Sequence, residues 1–366
     1  MIVTASVQSE KRENIFHVPD RPGLPEKILN RVLVFEESFS WAGRAARQAQ
    51  SIARAAPFDL VFSTSPPLAV HIAARRVKRR LGIPWVADFR DPMTGNDARL
   101  GWAIHTVDRI FEPRFFKDAD VLIANTEAAA NFLKIRRPEY AKKVRFIYNG
   151  FDPATPGLAA RPLPTRSHRV LLHAGSLYRV SMTQPFIEAL DLALARRSGD
   201  AAPVRLQMIG LVEAAASLRA LPAFHNLERL GRIELIQNHW PVAEARRAMA
   251  ESDFLVVIDR YRQGGIIQLP AKTYEYIQIG RPILAVTAPG SPMEYVIRTS
   301  GVRHALLYPE RESTDAMAAK IADFVELPSD PLAPSPEYDR EFGAAGQSET
   351  LAGIFDALLE RRRIGQ

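Results

Sequence analysis

The sequence predicts an α/β protein of two domains, each a parallel sheet covered by helices. Three observations carry this expectation. Short apolar runs alternate with segments of helical period, the pattern of strand–helix–strand units. Prolines at 153, 156, 162 and 164 interrupt that alternation once, and it then restarts. Residues 268–286, QLPAKTYEYIQIGRPILAV, read as a loop, a helix stopped at Gly280, and a strand that is apolar throughout. Glycine accepts the left-handed conformation that ends a helix, and an unbroken apolar run suits a strand covered on both faces. A loop entering a helix at the sheet's carboxyl edge is where doubly wound folds receive ligands.

In order, short strands are expected over 2–5 and 15–18, then a mostly helical stretch over 24–56 broken by Pro57. A strand over 58–62 leads into the loop Ser63-Thr64-Ser65-Pro66-Pro67. The helix over 68–81 is amphipathic: Val70, Ala73, Ala74, Val77 and Leu81 share one face, and Arg75, Arg76, Lys78, Arg79 and Arg80 occupy the other. The strand over 83–87 ends in Asp88-Phe89-Arg90-Asp91-Pro92. Helices over 108–118 and 127–133 flank a strand over 121–124, and a strand over 144–148 closes the first series.

The second series has strands over 169–174, 204–209, 233–237, 254–258, 283–286 and 305–307. Helices over 183–195, 242–250, 272–279, 292–299 and 314–326 are interleaved with them. Prolines 328, 331, 334 and 336 form a second linker. The last helix places Leu351, Ile354, Phe355, Leu358 and Leu359 on one face. The expected domains are therefore 1–152 and 168–327, with 153–167 as linker and 328–366 as linker and final helix.

Composition narrows the function classes. A chain of 366 residues exceeds one ordinary core and fits two domains. No apolar run is long enough to span a bilayer. Zero cysteines exclude disulfides and thiolate chemistry and fit a cytoplasmic location. The net charge of +7 favours anionic partners. Nucleic acid is not expected, because the basic residues lack interleaved stacking aromatics. The eight histidines are dispersed without metal-ligand spacing, His173 falling on a core strand, and no Walker, Gly-x-Ser-x-Gly or GxGxxG motif occurs.

The ordered set STSPP, GIPWVADFRDP, ADVLIANT, NGFD, AGSLY and PAKTYEYIQIGRPILAV, over about residues 55–310, resembles family-four glycosyltransferases of the GT-B architecture. The resemblance is strongest to bacterial members of envelope-polysaccharide assembly. It implies two facing Rossmann-like domains, a nucleoside diphosphate sugar held mainly by the second, and a last helix crossing back to the first. It also implies transfer with retention, without a metal or other cofactor, to a cell-envelope glycan or lipid-linked acceptor.

Within the resemblance, Glu275 is the glutamate that holds the donor's ribose hydroxyls, a task suited to a pure acceptor. Ile267 stands where many members carry another glutamate. Lys272 either forms a surface ion pair with Glu275 or faces the donor diphosphate beside a helix N-terminus; the second reading is favoured. Gly175, Ser176, Tyr178 and Arg179 form a strand-end turn, with Ser176 and Ser181 standing where members place cations. Arg179 and Lys272, with the N–H groups of Gly175 and Leu269 and neighbouring Gln268, are the substitutes. Asp88, Arg90 and Asp91 line the reaction centre or, equally, lock a loop. Ser65, Pro66 and Thr126 belong to the acceptor-side loops. Arg75, Arg76, Lys78, Arg79 and Arg80 form either a solvated face or a dock for the anionic inner membrane surface.

The family's usual opening strand and Gly-rich loop have no counterpart, since residues 2–5 match the strand after them. Either the natural chain begins upstream of Met1 or the form is divergent; the first is favoured. A non-catalytic GT-B scaffold is the alternative to an enzyme, and a sugar-nucleotide 2-epimerase is a further rival disfavoured for want of its acid/base set.

Overall fold

The computed structural model describes residues 2–4, 15–24, 27, 39–94, 102–175, 180–197, 202–210, 215–237, 240–259, 261 and 266–364. It divides into two units, residues 1–148 with 348–366 and residues 149–347.

In the first unit, β3 (Val61–Ser65), β4 (Trp85–Phe89), β5 (Val121–Ala124) and β6 (Val144–Phe146) form a parallel sheet in that order. Strands β1 (Ile2–Thr4) and β2 (Ile15–His17) pair in parallel as a separate ribbon. Helices α1 (Phe39–Ala53), α2 (Ala69–Leu81), α3 (Trp102–Asp118) and α4 (Glu127–Arg136) are interleaved with the sheet strands. The residues of 24–56 that precede Phe39 fall mostly outside the described set.

Strand β3 corrects the sequence reading, which ended its strand at Phe62 and made Ser63 to Ser65 a loop. Polar residues fill this strand because their hydroxyls have partners inside. Trp85 Nε1 donates to Ser63 Oγ at 2.8 Å, and Ser63 Oγ meets His71 Nδ1 at 2.8 Å. Burial holds His71 down to about 3, so its ring is a neutral core group packed on Trp85, Phe89 and Phe115. Strand β4 likewise runs to Phe89, so Asp88 is a strand residue directly opposite Thr64.

The second unit has a six-stranded parallel sheet. Its strands are β7 (Arg169–Ala174), β8 (Val204–Ile209), β9 (Ile233–Ile236), β10 (Phe254–Ile258), β11 (Ile283–Val286) and β12 (His304–Leu307). They lie in the order β12-β11-β10-β7-β8-β9. The helices are α5 (Val180–Ala195), α6 (Ala215–Arg219), α7 (Pro222–Arg229), α8 (Val242–Ala250), α9 (Lys272–Ile279), α10 (Pro292–Ser300), α11 (Thr314–Phe324) and α12 (Pro336–Phe342). Phe186, Phe224 and Phe254 are wholly buried in its core, each contributing about 1.5–3 kcal/mol by leaving water.

Strand order reverses between β7 and β10. Those neighbours pair only at Leu171–Phe254 and Leu172–Leu255, whereas β7 and β8 pair along all six residues. The ladder thus opens toward the carboxyl ends of the two central strands, which is where such sheets leave a crevice for a ligand.

The last helix, α13 (Ala344–Ile364), begins in the second unit and from Ser348 belongs to the first. Leu351, Ile354, Phe355, Leu358 and Leu359 are half-buried, as their spacing predicted, and Phe355 lies against Phe62 with ring centroids 5.7 Å apart.

Candidate active site

The opened ladder is filled by side chains. His173 Nδ1 meets the Val256 carbonyl at 3.0 Å, so the ring donates from that nitrogen and its Nε2 is left to accept. Lys272, at the start of α9, brings its Nζ to 3.4 Å from that Nε2. One residue along β7, the Ala174 N–H donates to Tyr276 Oη at 2.9 Å, and the same hydroxyl donates to the Ala174 carbonyl at 3.3 Å. Tyr276 therefore replaces the missing strand partner of Ala174 from α9.

Gly175 follows, with φ of +133°, and a Cβ there would collide with Lys272 Nζ. The carbonyl of Gly175 in turn lies 2.6 Å from where a Cβ of Gly210 would be. Both positions demand glycine, for backbone conformation and for space. The result is an ammonium lying against bare backbone at the end of the central strand.

Burial drives the electrostatics. The Lys272 ammonium is pushed down to about 8 by desolvation, opposed by the Asp259 carboxylate. His173 lies well below its ordinary range, first through burial and then through the Lys272 charge. The ammonium therefore lies against a neutral imidazole, with the Asp259 carboxylate as its charge partner. The N–H groups of Leu269, Ala271 and Lys272 at the entry to α9 have no acceptor among the described residues, the usual condition of a helix N-terminus that receives an anion.

Of the two readings of Lys272, the structure therefore has it face the strand end rather than pair with Glu275. Glu275 is taken instead by Arg246 of α8, whose Nε and Nη2 donate to Oε1 at 3.1 and 2.7 Å. Leu269 is buried and Gln268 half-buried beside it. One expectation is corrected: the Gly175 N–H donates to the Ile209 carbonyl at 2.8 Å and so is committed to the sheet. Ser176, Tyr178 and Arg179 lie outside the described residues.

In the first unit, Thr64 Oγ1 donates to Asp88 Oδ2 at 2.7 Å, and the Arg90 N–H donates to the Ser65 carbonyl at 3.1 Å. Burial raises the Asp88 carboxyl to about 6, with the Thr64 hydroxyl and the Arg90 charge opposing. Arg90 is exposed, Asp91 half-buried, and Pro66 exposed at the end of β3. Asp88 and Arg90 form no ion pair with each other, and the end of the loop is held by Glu112 and Arg136: Glu112 accepts the Thr94 N–H at 2.8 Å and Arg136 Nη2 at 3.1 Å, and Arg136 also reaches the Thr94 carbonyl. Thr126 is wholly buried and caps α4 by accepting the Ala129 N–H at 2.9 Å.

Sequence reasoning placed His173 in the core but missed its contact with Lys272, and it missed Asp259, Tyr276, Arg246, Glu112 and Arg136. Tyr276 had a local signal, since it sits one turn after Lys272 on the same helix. The others meet the site from distant elements.

The basic face of α2 also splits. Arg75 pairs with Asp118 at 2.5 Å and Lys78 with Asp120, whereas Arg76, Arg79 and Arg80 remain exposed.

A strand reversal in a six-stranded parallel sheet, here with a cation and bare backbone at its edge, is the place where open α/β sheets receive ligands. The sequence profile of Glycosyltransferase Family 4 matches residues 5–155, and that of Glycosyl transferases group 1 matches residues 168–326. The chain belongs to the GT-B glycosyltransferases of the family-four kind. Solved structures similar to it include HepE of Anabaena, in complex with UDP and glucose, at 14% identity and a TM-score of 0.59 over 94% of this chain and 86% of that one. A glycosyltransferase from Rickettsia africae is similar at 12% identity and a TM-score of 0.59, covering 95% and 86%. The lipopolysaccharide outer core galactosyltransferase WaaB is similar at 13% identity and a TM-score of 0.58, covering 94% and 85%. At these identities the likeness is one of fold. A search of curated proteins found no match.

Proposed function

We propose that the protein transfers a sugar from a nucleoside diphosphate sugar to a glycan or lipid-linked acceptor of the cell envelope. The observation that carries this reading is the Lys272 ammonium held between His173 and Gly175 at the strand reversal. It supports a diphosphate there, with the free N–H groups of α9 completing the anion cradle. Glu275, whose Oε1 is held by Arg246, keeps Oε2 for the ribose hydroxyls. Arg179 is the further cation proposed for the diphosphate.

On the first unit, Asp88 is ionised at neutral pH and can orient an acceptor hydroxyl, and exposed Arg90 can stabilise charge on the departing diphosphate. Asp91 and Pro66 belong to the same acceptor-side surface, and buried Ser65 backs it. The reading keeps transfer with retention and without a metal, on the cytoplasmic side and peripheral to the inner membrane. No described helix is long and apolar enough to cross a membrane.

UDP is the first nucleotide to try, since HepE was solved with UDP. Incubating the chain with UDP-, GDP- and ADP-sugars, with and without glycan extracts, tests turnover by release of the diphosphate. Release abolished by Asp88→Asn supports transfer. Tight diphosphate binding without release from any donor would favour a binding scaffold.

A further inference from the structure

We infer that the groove between α1 and α2 is a second anion site, one that takes a multivalent phosphate group. The groove has a volume of about 580 Å³ and is lined by Gly43, Ala46, Arg47 and Gln50 of α1 and by Arg76, Arg79 and Arg80 of α2. The α1 residues recur at i, i+3, i+4 and i+7 and the α2 arginines at i, i+3 and i+4, so each set forms one helix face. All four arginines are exposed. None has a carboxylate or hydrogen-bond partner among the described residues, although Arg75 and Lys78 on the same helix are both neutralised.

Part of this charge suits the carboxyl end of α2, where cations are favoured. That does not account for Arg47, which comes from another helix, nor for Gly43. A glycine inside a helix is destabilising relative to alanine, yet a Cβ at Gly43 would come within 3.0 Å of Arg76 Nη1. The absent side chain makes room for a guanidinium to lie across α1. Four such forks converge on one space, and guanidinium forks match phosphate oxygens in pairs.

The chemistry is that of a headgroup or solute rather than of membrane insertion or nucleic acid. No large apolar side chain is exposed on α1 or α2, so neither helix offers the apolar face an interfacial helix buries. The groove also contains no aromatic ring on which a base could stack. A compact polyphosphate fits what remains.

The test is calorimetric titration with inorganic pyrophosphate, and co-sedimentation with phosphatidylcholine vesicles with and without phosphatidate. Three variants are compared: Arg76→Gln/Arg79→Gln, Gly43→Ala, and Arg361→Gln/Arg363→Gln as a control of equal charge loss. Each is measured again on a Lys272→Met chain, which separates the groove from the donor site. The groove pair is expected to weaken phosphate binding at least tenfold on both chains, and the control less than twofold. Gly43→Ala should weaken it without lowering the melting temperature, because the colliding atom is the movable end of Arg76. Loss confined to pyrophosphate identifies a solute, and loss confined to phosphatidate vesicles identifies a lipid headgroup; both support the site. Binding of neither probe, or an equal loss in the control, overturns it.

Discussion

Two titrating groups carry opposite consequences for pH. Asp88 binds its proton more tightly in the fold than an unfolded aspartate, at about 6 against 3.8. Between those values the native state holds more protons than the unfolded chain, so stability should fall as pH rises through that window. Urea unfolding of the native chain across it should show this slope, and Asp88→Asn should flatten it. Lys272 runs the other way: at about 8 against 10.5, the unfolded chain holds the extra proton, and stability should rise with pH between them. Glu275 gives a third residue test. Because Arg246 already occupies Oε1, Glu275→Ala should weaken nucleoside diphosphates about tenfold, by loss of a charge-assisted hydrogen bond, while leaving pyrophosphate unchanged. Competition titration separates the two.

At the scale of elements, the strand end depends on groups donated from α9 and β8. Tyr276→Phe removes the hydroxyl that accepts the buried Ala174 N–H and should cost about 1–3 kcal/mol. Gly210→Ala forces a Cβ to 2.6 Å from the Gly175 carbonyl at a φ of +134° and should cost about 1–3 kcal/mol. Equilibrium unfolding of each variant measures both. These elements were readable where pattern is local. Strands over 121–124, 169–174, 204–209 and 254–258 stand where their apolar runs put them. Helix α9 ends at Gly280, in the left-handed conformation, as its sequence requires. Strand β3 was misread because Ser63, Thr64 and Ser65 look like a loop until Trp85 and His71 supply partners for Ser63, and Asp88 for Thr64 and Ser65. Helices α6 and α7 are too short to show a period, and α12 lies in what read as a proline linker.

The whole chain follows the same division. Two α/β units were visible in proline spacing and alternation, whereas the return of the last helix to the first was implied only by the family resemblance. The residue types of the candidate site, Lys272 and Glu275 above all, were named from the sequence and the family resemblance, but their arrangement was not. His173, Asp259 and Arg246 reach it only because the strand order reverses between β7 and β10, and order is a property of pairing between distant segments. Lys272 could not be separated from a surface ion pair until that reversal put it against His173 and Gly175.

The central claim is that this reversal holds a donor diphosphate through Lys272. Thermal denaturation of the native chain and of Lys272→Met, with UDP, GDP and ADP across pH 7 to 9.5, tests it most directly. A ligand at a hundred times its dissociation constant should stabilise the native chain by about 2.7 kcal/mol. The account predicts a larger shift for one nucleoside diphosphate than for the others, fading as pH rises through about 8, with that preference absent in a Lys272→Met chain that still melts cooperatively. An equal shift in both chains, or a native shift indifferent to pH, would contradict it.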